Sequence, residues 1–382
     1  MTSAATLPLD AVPLPATALR ARVRGYWGDV WQRFCRNRSA VAGLVFVVFM
    51  TFVGVFAPFL AGVKPALAYY KGNYYLPALA YYSPDWEPNI FYRDRIVLQG
   101  YSLESMRGQD PASWVIWPLF YQDPVGDLDL TEAAANLGKT DDPAWQDPPT
   151  DFRQGPSRWH WFGTTNEGVD VLAAMIHGTS IALLIGFVST GIAAMIGIPL
   201  GALAGYFGGW VDMLVSRLIE VVMCIPSLVL IMAVIALVNN PTIWHVMAVI
   251  GGIQWTGIAR LTRAEFLRLR EMDYVQAARA LGAGHMRVML RHILPNSLAP
   301  ILVPITFGIA SAILTESGLS LLGLTGSASP ARWGALLNNA RQDLTMWWLV
   351  LFPGLAIFLS VLSYNLIGEG LQEATDPRLR NR

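Results

Sequence analysis

Apolar residues in this chain gather into long runs instead of recurring at amphipathic helix or strand spacing. A bilayer's hydrocarbon core takes about 20 largely apolar residues of helix. By that measure six spans are expected, at 39–61, 178–206, 211–238, 243–260, 297–323 and 346–368. Arg217 and Glu220 interrupt the third near one end, which leaves its start the least defined. Between the first two runs lies 62–177, rich in Pro, Tyr and Trp ("AYYKGNYYLPALAYYSPDWEPN"). It has aromatics enough for a small core and is too varied for a low-complexity linker. A compact domain or wrapped loop with little regular helix is expected there.

Three shorter patterns break the apolar runs. Before the first span, "LRARVRGYWGDVWQRFCRNRS" sets Val23, Trp27, Val30 or Trp31 and Phe34 at helical spacing with arginines around the rest of the wheel. That suits a helix lying on anionic headgroups. In the second span Ala193, Gly197, Gly201 and Gly205 recur every four residues, a stripe that lets helices approach closely. Pro199 in the same run invites a bend.

The third pattern is "YVQAARALGAGHMRVMLRHILPNSLAP", between the fourth and fifth runs. Asp273 suits an N-cap, and Gln276 three residues on completes a capping box. Ala277, Ala278 and Ala280 favour helix, and Gly282 supplies the stop, with Gly284 a second flexible point. Met286, Met289, Leu290, Ile293 and Leu294 then form an apolar stripe opposite Arg287 and Arg291, and Pro295 ends it. Two short helices at an angle are expected, the first presenting small alanines as a docking knob.

Charge adds orientation. Residues 1–38 carry six arginines against Asp10 and Asp29, and 255–295 seven against Glu265, Glu271 and Asp273. Arg378, Arg380 and Arg382 close the chain, while 62–177 holds fifteen acidic and eight basic residues. Six spans put the three arginine-rich segments on one side, which the positive-inside tendency makes the cytoplasm. The whole chain is 54% hydrophobic and 14% charged, against about a quarter charged in soluble domains, and its formal net charge of zero gives no bulk attraction to nucleic acid. Cys35 and Cys224 stand in unlike surroundings, so no disulfide or metal cluster is expected. The first nineteen residues lack Lys and Arg, and charge follows them, the reverse of a cleavable secretory signal.

Candidate chemistry is sparse. "AAANLGKT" (Ala133 to Thr140) imitates a phosphate loop, but it lacks the first glycine and follows a helical run. Asp123, Asp127, Asp129 and Glu132 lack the oxygen spacing of a calcium loop. His160, His177, His245, His285 and His292 show no metal-ligand spacing, and no nucleophile elbow or carboxylate pair is present. Within or near spans, Glu220 and Glu316 are candidates for a pathway or gate. Arg217, one turn away, makes a local ion pair the simpler role for Glu220. Packing or anchoring competes with gating for Glu316.

"QAARALGAGHMRVMLRHILP" resembles the EAA loop of binding-protein-dependent ABC importer permeases, the segment that docks on the ATPase subunits. Gln276 stands where that family usually has Glu. "HWFGTTNEGVDVLAAMIHGTSIALLIG", "GALAGYFGGWVDM" and "GEGLQEATDPRLR" agree, so most of 158–382 resembles the dipeptide and oligopeptide permease group. Gly168, Val169, Asp170 and Val171 stand where that group commonly has Gly-Arg-Asp-Val. The aromatic insert is similar to that of the microcin C/Yej-type peptide permease branch.

The resemblance implies an all-α integral membrane protein of the type I ABC importer permease fold. It would have six transmembrane helices and a large extracytoplasmic insert between the first and second. The expected layout is a cytoplasmic tail and interfacial helix (1–38), a first span (39–61) and the insert (62–177). A five-helix core (178–368) follows, holding coupling helices at 271–295, then a cytoplasmic tail (369–382). Asp273, Gln276, Ala277, Ala278, Arg279, Gly282, Ala283 and Pro295 would carry the ATPase contact. The implied partners are a second permease chain, two ABC ATPases that use ATP and Mg, an extracytoplasmic solute-binding protein and the lipid of a bacterial inner membrane. This chain itself would bind no cofactor or metal and catalyse nothing. A non-peptide solute (nickel, an opine or glutathione), a secondary transporter and a membrane-anchored binding or assembly module are the competing readings. The absence of an internal repeat weighs against the secondary transporter.

Overall fold

The computed structural model describes residues 26–126, 136–137, 154–239, 241–324 and 331–375. α1 (Tyr26–Phe34) leads into α2 (Arg38–Val55) through Asn37, whose side-chain oxygen accepts from the Ala40 N–H at 3.1 Å. The same amide donates to Glu373, near the far end of the chain, at 2.8 Å. α1 buries Val30 and Phe34 and leaves Trp27 and Trp31 exposed, so one face packs and the other is aromatic. Val23 lies outside the described residues.

The insert is built on a three-stranded antiparallel sheet, order β2-β1-β3, from β1 (Leu67–Tyr70), β2 (Asn73–Tyr75) and β3 (Trp114–Ile116). Lys71 and Gly72 both have positive φ, +48° and +81°, as a two-residue hairpin that follows strand twist requires. Lys71 is pinned there: its N–H donates to Asp110 at 2.7 Å and its ammonium to Asp94 at 2.6 Å, which holds the Asp94 carboxyl below the usual carboxylate range. Ala68 and Tyr70 point inward onto Phe91, Ile96, Tyr101 and Met106. Of the acidic cluster only Asp123 is among the described residues. The phosphate-loop-like stretch lies outside them except for Asn136 and Leu137.

Beyond the insert come α3 (Val171–Phe207), α4 (Gly209–Met223), α5 (Ser227–Ala236), α6 (Ile243–Leu269) and α7 (Asp273–Ala280). α8 (His285–Leu321), α9 (Trp333–Ala340) and α10 (Trp348–Thr375) complete the chain. Among the described residues α2, α3, α8 and α10 are long and apolar enough to cross a membrane. α4 and α5 add a fifth if the pair is one span. The expected unbroken run at 211–238 is in fact bent by 79° between them. Pro226 explains the break, since it offers no N–H and drives the preceding residue out of helical geometry. α6 runs past its expected end at 260, and His245, Gln254 and three glycines dilute its apolar stretch, so composition alone does not count it as a span. α9 has no counterpart in the expected elements.

α3 and α6 touch along the small-residue stripe. A Cβ on Gly197 would sit 2.6 Å from the Trp255 carbonyl oxygen, and one on Gly205 2.5 Å from that of Arg263. One on Gly201 would overlap the Ala259 carbonyl. From the other helix, a Cβ on Gly251 would sit 2.5 Å from the Ser189 carbonyl oxygen, and Ala193 is fully buried in the same seam. Helices in lipid associate through this kind of close packing, because burial from lipid into protein gains little. At the polar end of the seam Asp212 of α4 takes two donors from Arg263, one at 2.7 Å.

Gly201→Ala should therefore lower stability by about 1–3 kcal/mol through overpacking. Gly257→Ala, on the same helix pair but with open space around it, should be neutral or gain about 0.5–1 kcal/mol. Thermal unfolding of the two purified variants in detergent checks the contrast, and equal shifts would remove the seam from the account.

Candidate functional site

The arginine-rich corner forms where α3, α6, α7 and the start of α8 meet. Val275, Phe266, Leu269, Tyr206, Val288, Met289 and Ile293 make one buried cluster. α7 drops Val275 into it, while Gln276, Ala277, Ala280 and Leu281 are exposed and Ala278 and Arg279 half-buried. Leu281, at 89% exposure, is the most open large apolar side chain among the described residues.

The N-terminus of α7 departs from expectation. Met272, not Asp273, is the N-cap, and no side chain caps the helix. Asp273 occupies the first turn, where a carboxylate favours the helix dipole without a hydrogen bond. Gln276 forms no capping box; its amide donates to the Arg270 carbonyl at 3.3 Å, tying α7 back to the end of α6.

The C-terminus closes on Gly282 at φ +82°. The Ala283 N–H reaches the Ala278 carbonyl at 3.1 Å and the Gly282 N–H that of Arg279 at 2.9 Å, the paired bonds of a Schellman ending.

The second expected short helix does not exist separately. α8 runs unbroken from His285 to Leu321 and takes a π-helical turn over Val288–Ile293. Pro295 therefore does not end it. The widened turn before the proline makes room for its ring, and Asn296 donates to the His292 carbonyl at 2.6 Å, a partner for backbone the proline disturbs. Of the expected stripe, Met289 and Ile293 are buried, but Met286 and Leu290 are exposed at 61% and 55%. With Leu281 and Tyr274 they leave the corner apolar on its outer side. Partial shielding from water raises the Tyr274 phenol above its usual pKa.

Sequence reasoning missed Tyr206 in this corner. It is 5% exposed, at the last turn of α3; its hydroxyl lies 3.0 Å from His285 Nδ1 and its ring lies 4.9 Å under the Arg279 guanidinium. Only the aromatic position before "GG" in "AGYFGGW" signals it.

The two candidate gate residues lie apart. Glu220 pairs with Arg217 at 2.5 Å on an exposed face. Glu316 is 3% exposed, accepts from Ser320 at 2.9 Å and lies 3.5 Å from the buried Arg332, just before α9. Here the bundle is clamped to the segment before α3. Asp170 caps α3 by accepting from Ala173 at 2.8 Å and pairs with His160 at 2.9 Å. Trp348 donates to the Thr164 carbonyl at 2.9 Å, and Trp333 to that of Met175 at 3.1 Å. His177 contacts the Ala61 carbonyl at 2.7 Å, and His245 helps cap α6. No cluster of three metal-ligating side chains occurs among the described residues.

Residues 197–381 match the family of binding-protein-dependent transport system inner membrane components, and residues 25–86 the N-terminal TM domain of oligopeptide transport permease C. The chain is 39% identical over 234 residues to the dipeptide transport system permease protein DppC of Alkalihalophilus pseudofirmus, covering 61% of this chain and 77% of that protein. It is 31% identical over 361 residues to the peptidoglycan transport system permease protein YejE of Agrobacterium fabrum, covering 91% and 92%. The di/tripeptide transport system permease protein DppC of Pseudomonas aeruginosa is 30% identical over 354 residues, covering 92% of both. The chain belongs to the binding-protein-dependent permease family of ABC transporters, as an integral membrane permease and not a catalytic subunit.

The φ of Gly282 gives a direct check on the corner. A β-branched residue in that region costs about 1–2 kcal/mol. Gly282→Val should open the end of α7 and speed trypsin cleavage at Arg279 roughly 5–30-fold. Gly282→Asn, which tolerates the left-handed region, should stay near the parent rate.

Proposed function

We propose that this member of the binding-protein-dependent permease family forms, with a second permease chain, the membrane pathway of an ATP-driven importer of short peptides. The observation that carries the reading is α7: a short helix with a built stop, raised from the bundle with exposed alanines and Leu281, inside the family-matched segment. Small residues at such a tip let a neighbour's groove close around it. Two ATPases would bind there, on Ala277, Ala278, Arg279, Gly282 and Ala283. Asp273 and Gln276, in the first turns of α7, and Pro295, within α8, belong to the same corner.

In this reading α6 is the sixth span, the kinked α4–α5 pair a fifth, and both termini lie in the cytoplasm of a bacterial inner-membrane protein. The insert is then extracytoplasmic, where a solute-binding protein delivers substrate. ATP and Mg belong to the partner ATPases. ATP favours their closed dimer, and the difference in affinity between open and closed forms supplies the bias that moves α7. Peptide as substrate rests on the names of the relatives. Two of them align over 91–92% of this chain, so the alignments take in the insert. A secondary transporter would need a charge network within the membrane, whereas Glu220 and Glu316 are each engaged with an arginine.

Two measurements test the reading. A tagged chain solubilised in mild detergent should co-purify with two ATPases and a second permease, and a chain recovered alone would overturn the importer assignment. A strain lacking only this gene should fail to deplete one length class from a mixture of dipeptides through roughly decapeptides. Equal depletion by both strains would overturn the peptide assignment and leave the permease standing.

A further inference from the structure

The structure assigns Tyr206 a role as the positioning residue that joins the coupling corner to α3, a step that rests on the ATPase-docking reading of α7. It is engaged at three levels. Its carbonyl, with that of Gly205, receives Arg270 Nη1 at 3.4 and 3.2 Å, so the end of α6 neutralises the negative C-terminal end of α3. Its ring carries the Arg279 guanidinium from the last turn of α7. Its hydroxyl meets His285, the first residue of α8. Four elements converge on one residue whose side chain is nearly inaccessible to solvent.

The placement matters because α7 otherwise has little grip on the bundle. Val275 is its one buried side chain, Tyr274 reaches Asn296 of α8, and Gln276 ties its first turns to the end of α6. Arg279 and Tyr206 are the contact between the tip, where a partner would press, and the helix that holds the glycine seam. A displacement of the tip along the membrane plane moves Arg279; the cation over the ring face moves with Tyr206, and α3 and α6, locked by the seam, shift as one body. Without the ring, α7 can swing about the Arg270–Asp273 turn while α3 stays in place.

The experiment uses the complete transporter with its ATPases, with Cys35 and Cys224 changed to Ser. One pair of spin labels at Ala280 and Gln372 reports α7, and a second at Met195 and Gln372 reports α3 beside the seam, on its outer face; all three positions are exposed. Distances are read with and without ATP, Mg and vanadate. In the parent both pairs should shift with nucleotide. In Tyr206→Leu and in Tyr206→Met, both of which refill the site with an apolar chain and remove the ring face, the α7 shift should persist while the α3 shift is lost. Tyr206→Phe keeps the ring and should retain most of it. Parent-sized α3 shifts in both Tyr206→Leu and Tyr206→Met would overturn the joint while leaving the docking reading intact. A parent whose α7 pair ignores nucleotide would overturn the docking reading, and the joint with it.

Discussion

The rest of the architecture depends on the backbone contact between α3 and α6. With carbonyl oxygens of one helix seated where a Cβ would stand on the other at Gly197, Gly201, Gly205 and Gly251, the two helices have almost no freedom to slide. Each step of four residues repeats the same fit, so the register is set several times over. Lipid offers no hydrophobic drive to hold the pair, and dispersion at contact distance has to do it. The consequence reaches both ends: the seam delivers Tyr206 and Arg270 side by side at one, and sets the height of Asp170 and its clamp at the other.

That clamp makes the insert part of the bundle. Trp348 and Phe352 from α10 meet Thr164 and Phe162, the two phenylalanine rings stacking 4.0 Å apart. Tyr82, within the insert, donates to the last carbonyls of α2, 3.0 Å from Gly54 and 2.7 Å from Val55. Helix-end carbonyls are left unsatisfied by the helix itself, so the insert supplies what the ends of the bundle need. A tethered domain would leave those groups to solvent.

How much of this was legible in the sequence follows from the range of each interaction. Glycine spacing is a property of one helix, so the stripe could be read before its partner was known. Gly282 was legible for the same reason: a glycine directly after a run of helix-favouring residues is a local stop signal, whatever the helix packs against. The two prolines show the limit. Pro226 and Pro295 carry the same local prohibition, yet one breaks its helix by 79° and the other rides inside a 37-residue helix. What separates them is context, the π-turn and Asn296 beside Pro295, which no single-residue rule contains. Asp273 and Gln276 fit a capping pattern one residue out of step with the helix that forms. Glu316 was visible as a cost but its partner was not, because Arg332 lies sixteen residues away, beyond the end of the helix. The eight residues of α9 are too few for periodicity to register.

On the importer reading, stiffness is divided unevenly between the helices, and the division has a mechanical sense. The α3–α6 pair is locked along its length even through Pro199 of α3, whereas α8 gathers a π-turn, Pro295, Pro300 and Pro304 within its first twenty residues. Each proline removes a backbone hydrogen bond and each widened turn loosens the ladder, so bending of α8 is concentrated near the coupling corner. Beyond Thr306 the helix is regular and ends in the Glu316–Arg332 pair, which fixes it to α9 and so to the clamp. A push at α7 thus meets a rigid pair on one side and a compliant half-helix on the other. A transporter that must open one end while keeping the other closed needs such a difference, because two equally stiff paths would carry the push straight through to the outer end.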